Sequence, residues 1–105
     1  MAAKLKPIHP GEILREEFMK PLGLNSNKLS LALRVPAPTV YEIVHEKRSI
    51  SPEMALRLAR CFSIGADFWL NLQSRYDLEL AEDRTADRVK REVEPLKAAA
   101  RGSEQ

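Results

Sequence analysis

A single cysteine among 105 residues is the shortage that excludes most. Cys61 can form no intramolecular disulfide and cannot build a cysteine-cluster zinc site; it suits a reducing interior and is expected to fill core space. The two histidines, His9 and His45, stand far from it and from each other, without the paired spacing of a metal centre. No metal and no cofactor is therefore expected. Long apolar runs are also missing, and the first residues lack the apolar centre of a signal peptide, so no membrane contact and a cytoplasmic location are expected. No stretch alternates apolar and polar residues for long, which argues against a sheet. No nucleophile, base and orienting group fall into a recognisable order, and an enzyme is not expected.

What the chain does contain is enough apolar residue, at 44%, for one core with a tail, but too little length for a catalytic and a separate binding domain. Its charge is unevenly spread. Residues 1–50 carry eight Lys/Arg against five Asp/Glu, net +3, while residues 51–105 carry nine against ten, net −1. A polyanionic partner would meet the first half.

Apolar residues recur at spacings of three and four, so the chain reads as helix throughout. Pro10 and Glu12 open a first helix with Ile13, Leu14 and Phe18 on its inner stripe, and Pro21 and Gly23 are expected to close it. Asn25 or Ser26 caps a short second helix that buries Leu29, Ala32 and Leu33. A third runs from about Ala37 to His45 with Val40, Ile43 and Val44 inward. Ser51-Pro52-Glu53 starts a fourth, reaching Phe62, with Met54, Leu58, Cys61 and Phe62 as its core face. Gly65 precedes a fifth that carries Phe68, Trp69, Leu72, Tyr76 and Leu80. A charged segment from about Glu82 to Glu94 reads as a further helix, with a narrow seam of Ala86, Val89, Val93 and Leu96, and residues 97–105 as a flexible tail.

The break in "RVPAPTVYEIV" (residues 34–44) has a physical logic. Pro36 disfavours helical geometry at Val35 and ends the second helix, while Pro38 falls in the first turn of the third, where its missing N–H costs nothing. Two helices of about eight residues across a three-residue break form a helix-turn-helix unit. From these residues alone, a unit that lays its second helix in a DNA major groove and an ordinary helical hairpin fit equally well. Glu16-Glu17 and Asp83 with Asp87 read as solvated helix faces, and Trp69 as a core or interface anchor.

Four stretches in order, "HPGEILREEFMKPLGL", "VPAPTVYEIVHEKRSIS", "ALRLARCF" and "DFWLNLQSRYDLELA", resemble the HigA family of antitoxins within the Xre-type helix-turn-helix class, over about residues 8 to 81. The resemblance implies an all-α, five-helix lambda-repressor-like DNA-binding domain over residues 1–81, to which the charged segment 82–96 adds a C-terminal helix for dimer or toxin contact. It further implies a homodimer that binds a palindromic operator, represses its own operon and neutralises a RelE-like HigB toxin, an mRNA-cleaving ribonuclease. Carried over by position, base-edge contacts fall to Ala37, Pro38, Thr39 and Glu42, and phosphate contacts to Ser26, Lys28, Tyr41, His45, Lys47 and Arg48. Cations and hydroxyls at the rim of a recognition helix suit phosphate oxygens, and Glu42 could accept from a cytosine amine. No Arg, Gln or Asn on that face offers a two-point base contact. Arg34 stands where the family has a turn glycine, Ser30 where it has a small alanine, and His45-Glu46 where it has Asn-Gly. A non-glycine residue in a left-handed turn there stores about 1 kcal/mol of strain. Two alternatives share parts of this chemistry: a stand-alone repressor without a toxin, and a protein-binding module whose helix-turn-helix has lost DNA affinity.

Overall fold

A computed structural model describes residues 5–96, so the expected tail 97–105 lies outside the described residues. Among the described residues the chain forms five helices and no strand. Helix α1 spans residues 10–22 in three consecutive stretches, α-helical over Pro10–Ile13, π-helical over Leu14–Met19 and α-helical again over Lys20–Leu22. Helix α2 is Ser26–Leu33, α3 Ala37–Val44, α4 Pro52–Phe62 and α5 Ala66–Glu92.

The helix starts are set by their caps. His9 Nδ1 accepts the Gly11 N–H at 2.8 Å, Asn25 Oδ1 accepts that of Lys28 at 2.8 Å, and Ser51 Oγ that of Met54 at 3.1 Å. Each satisfies a first-turn amide that has no partner within its helix. As expected, α1 closes at residues 21–23: it ends at Leu22 with Gly23 as its C-cap, one residue past Pro21. A proline inside an α-helix collides with the carbonyl four residues back; the wide turn just before it, in which the Lys20 N–H donates to the Arg15 carbonyl, gives the ring room.

The ends of α1 to α4 share one device. Leu24 N–H reaches the Met19 carbonyl (2.9 Å) around Gly23, at φ 65°. Val35 closes on Ser30 (3.1 Å) around Arg34, and Lys47 on Glu42 (2.8 Å) around Glu46. These are the paired closing bonds of a Schellman turn, which needs a left-handed residue at its pivot. Arg34 (φ 61°), Glu46 (φ 64°) and Ser63 (φ 58°) take that role without being glycine. The strain expected at Arg34 is present, and it recurs at two further helix ends.

Leu14, Leu29, Val40, Ile43, Leu58 and Trp69 are at most 1% exposed and form the centre of the core. Phe18 packs beside Trp69, with ring centroids 4.9 Å apart, and Phe62 and Phe68 complete the aromatic cluster. Trp69 is thus a core anchor. Cys61 is not: it is exposed, as is Ala32, because each sits on the outer flank of its helix beside the open groove between α2 and α4.

No break separates a fifth helix from a C-terminal one. Between Leu80 and Glu82 there is no glycine, proline or capping residue to stop propagation, and α5 runs on to Glu92. Past Leu80 every described side chain is exposed except half-buried Thr85. The helix ends at Val93, extended at φ −113°, two residues before Pro95. Val93 and Leu96 therefore lie beyond the helix, and only Ala86 and Val89 of the expected seam are helical.

Candidate nucleic-acid interface

Helix α3 is only eight residues long, so its attitude depends on what holds it from behind. Its inner residues Val40, Ile43 and Val44 are buried in the core. At its start, Gly11 of α1 comes so close that a Cβ placed there would lie 1.8 Å from the Ile43 carbonyl oxygen. At its end, Arg15 from the π-helical turn donates Nη1 to the Val44 carbonyl and lies 3.8 Å from the Glu46 carboxylate. One guanidinium thereby caps α3 and ties down the left-handed residue after it. Gln73 of α5 fixes the rest of the loop: its Oε1 accepts the Ile50 N–H at 2.8 Å, and its Nε2 donates to Asp77 Oδ1 at 3.0 Å. Arg57 of α4 donates Nη1 to the Leu33 carbonyl at 2.9 Å and caps α2 in the same way.

Held like this, α3 turns its other face outward. Ala37, Pro38, Tyr41 and His45 are exposed, and Thr39 and Glu42 are half-buried. Ser26, Asn27, Ala37, Pro38 and Tyr41 line a shallow notch where the starts of α2 and α3 meet. Four of the ten sequence-predicted contact residues are brought together there. Tyr41 and His45 stack one turn apart, centroids 4.0 Å and planes 28° apart, and His45 Nδ1 sits 2.8 Å from the Tyr41 carbonyl. A carbonyl can only accept, so Nδ1 carries the proton and Nε2 is left for an outside partner. Lys28 is exposed in the first turn of α2, and Lys47 and Arg48 are exposed in the loop after α3.

Two predicted contacts are joined to each other. Glu42 Oε1 accepts the Arg48 Nε–H at 2.8 Å, and Arg48 Nη2 lies 2.7 Å from the same oxygen. The expected base-reader and the expected phosphate contact form one forked ion pair.

Behind this face His9 is 3% exposed and packs edge-on against Tyr76, centroids 4.7 Å apart. Burial pushes its imidazole below the usual value, against the pull of the Glu46 and Asp77 carboxylates. A neutral ring is what the Gly11 cap needs, since a protonated Nδ1 accepts nothing.

Sequence reasoning missed Gly11, Arg15 and Gln73, the three residues that aim the helix. Gln73 had a visible signal, a polar residue on the stripe that Trp69, Tyr76 and Leu80 mark at helical spacing. Gly11 and Arg15 had none, because each acts across a tertiary contact. Among the described residues no group of three or more His, Cys, Asp or Glu could hold a metal ion, and no helix is long and apolar enough to cross a membrane.

No protein-family model matches the chain. Individual proteins do. Virulence-associated protein I of Dichelobacter nodosus is 45% identical over 102 residues, 96% of this chain and 92% of that one. Antitoxin HigA-1 of Vibrio cholerae is 33% identical over 93 residues, 89% of this chain and 87% of its own. Among solved structures, the Pseudomonas aeruginosa antitoxin HigA with the higBA promoter superposes with a TM-score of 0.84 at 50% identity, covering 86% of this chain and 98% of that one.

Proposed function

The chain belongs to the HigA family of helix-turn-helix antitoxins, and we propose that it binds operator DNA as a homodimer, represses its own operon and neutralises a RelE-like HigB toxin that cleaves mRNA. The observation that carries the DNA part is the mounting of α3: buttressed on its inner side by Gly11, Arg15 and the core, it leaves its outer face clear.

The chemistry around that face suits a duplex. Ser26, Lys28, Tyr41, His45 and Lys47 ring α3 with hydroxyls, an imidazole and two ammonium groups, none of the latter ion-paired among the described residues. First-turn amides of α2 other than that of Lys28 lack an intrahelical acceptor, so the notch also offers backbone donors to a phosphate. Ala37, Pro38 and Thr39 form the tip that meets base edges, where they can pack against a thymine methyl. Glu42 and Arg48 enter the groove as the joined pair described above.

A palindromic operator needs two such units about 34 Å apart, one helical turn of DNA. The far half of α5 is the means. Leu78, Ala81, Thr85, Ala86 and Val89 share a shallow apolar groove, with Leu78 and Val89 59% and 49% exposed. A helix so charged, with almost nothing buried in its own chain, gains most by pairing with another molecule. Residues 1–81 thus read as the DNA-binding domain and 82–96 as the assembly segment.

Binding to the DNA upstream of its own gene, measured over a salt series, tests the first part. With about six phosphates neutralised per dimer, the log-log slope should be about −5. A flat profile refutes DNA binding and favours the protein-binding module. Copurification with the product of the adjacent gene tests the second part. Absence of a complex, with the salt slope intact, leaves a stand-alone repressor.

A further inference from the structure

Resting on the operator reading above, the geometry points to Arg48 as a reader of guanine, with Glu42 as the residue that positions it. Arg48 carries five N–H bonds. Glu42 Oε1 accepts the Nε–H and lies 2.7 Å from Nη2, covering the two N–H bonds of the side-on edge of the guanidinium. Three remain: both on Nη1 and the outer one on Nη2. They form the end-on fork, whose two parallel donors match O6 and N7 of guanine in the major groove.

The two other assignments each work against the pair. If Arg48 gripped a phosphate, a half-buried carboxylate within 3 Å of its guanidinium would stand beside the DNA backbone and repel it. If Glu42 alone took a cytosine amine, its bound oxygen would have to release a charge-assisted hydrogen bond and a close ion pair. End-on reading keeps the hydrogen bond and the ion pair and adds two hydrogen bonds. It also supplies the two-point base contact that the residues of α3 alone lack.

The surroundings favour a fixed arm. Arg48 is two residues after Glu46, which is held by its closing bond to Ile43 (2.9 Å) and by Arg15, and two before Ile50, whose N–H is held by Gln73. The arginine is therefore anchored on both sides in the chain and clamped at its head. Less side-chain freedom is lost when the base arrives.

The test measures binding of the full-length chain to its upstream DNA and to fragments with every base pair replaced in turn. Four proteins are compared: wild type, R48K, E42Q and the double variant, with far-UV circular dichroism to check that each is folded. In wild type, replacing one G·C pair per half-site should weaken binding about tenfold to a hundredfold. R48K, which retains charge but not the fork, should bind every fragment as weakly as wild type binds the replaced one. E42Q should flatten the preference at that same pair, and the double variant should be no worse than R48K. A uniform loss in R48K, with the salt slope reduced by about one, would mean a phosphate contact and overturn the assignment. So would E42Q relaxing a different base pair in the R48K background, since Glu42 would then read on its own. If wild type bound no fragment, the operator reading would fail and take this inference with it.

Discussion

Replacing Gly11 by alanine adds one methyl group where the structure has no room for it. The new Cβ would lie 1.8 Å from the Ile43 carbonyl oxygen, 2.8 Å from its carbon and 3.1 Å from His9 Nδ1. Carbon and its neighbours settle at about 3.5 Å, so α1 and α3 must part by roughly 1.5 Å. The obstacle cannot rotate away. It is a main-chain carbonyl that accepts the Glu46 N–H at 2.9 Å and belongs to a residue that is 1% exposed. Overpacking costs about 1–3 kcal/mol, and a rigid obstacle belongs at the upper end; alanine's better helix propensity returns up to about 1 kcal/mol. The net cost is about 2 kcal/mol, which lowers the midpoint of a domain this size by about 8–16 °C. Thermal unfolding followed by circular dichroism reads it, with Gly65→Ala as control. There the added Cβ meets only the Asp67 carboxylate, at 2.5 Å, which can swing aside. DNA affinity measured well below the midpoint should also fall in Gly11→Ala, because the displaced element is α3. A midpoint within about 2 °C of wild type, by the same scale, would refute the reasoning that this glycine sets the α1–α3 distance.

Arg34→Gly should relieve left-handed strain by more than the unfolded chain gains in freedom, stabilising the protein by about 0.5 kcal/mol in urea titration, whereas Arg34→Val should destabilise it. His9 is neutral in the fold, with its imidazole held below the unfolded value near 6.5, so its contribution is full above that pH and is lost as the pH falls through it and on through the lower folded value. Melting midpoints between pH 7.5 and 5 should drop for wild type and drop less for His9→Asn, which can still cap the helix; equal slopes would refute the assignment. A chain ended after Ala81 should remain folded, since the rest of α5 buries no side chain of its own chain, but should show half the mass in sedimentation. An unchanged mass would remove residues 82–96 from the dimer contact.

The helix starts were legible because each rests on a local exchange. Ser51 before Pro52 and Asn25 before Ser26 each satisfy the amide three residues on, and that distance is visible in a sequence. The turn between α2 and α3 was legible for the same reason, from the restrictions that Pro36 and Pro38 impose on themselves and their neighbours. Stops were harder. Pro21 and Gly23 did mark the end of α1, but the helix runs one residue past Pro21 because the wide turn before it makes room for the ring, and nothing in the local sequence announces that turn. Cys61 shows the limit of apolar periodicity: its helical spacing from Leu58 fits a core face, but the edge of that face depends on where α2 lies.

The amino-acid sequence alone therefore determined an all-helical chain, its joints as far as Gly65, a basic first half and a helix-turn-helix with a small, proline-bearing tip. Those properties follow from backbone restrictions, caps and composition, which act over a few residues. The tertiary structure decided how α3 is aimed. Gly11, Arg15 and Gln73 reach it from 32, 29 and 23 residues away, to Ile43, Val44 and Ile50, so no local pattern reveals them. It also decided that Glu42 and Arg48, six residues apart across a left-handed turn, form one unit. Their pairing depends on the φ of Glu46, a backbone angle that the residue's identity disfavours and the surrounding contacts impose.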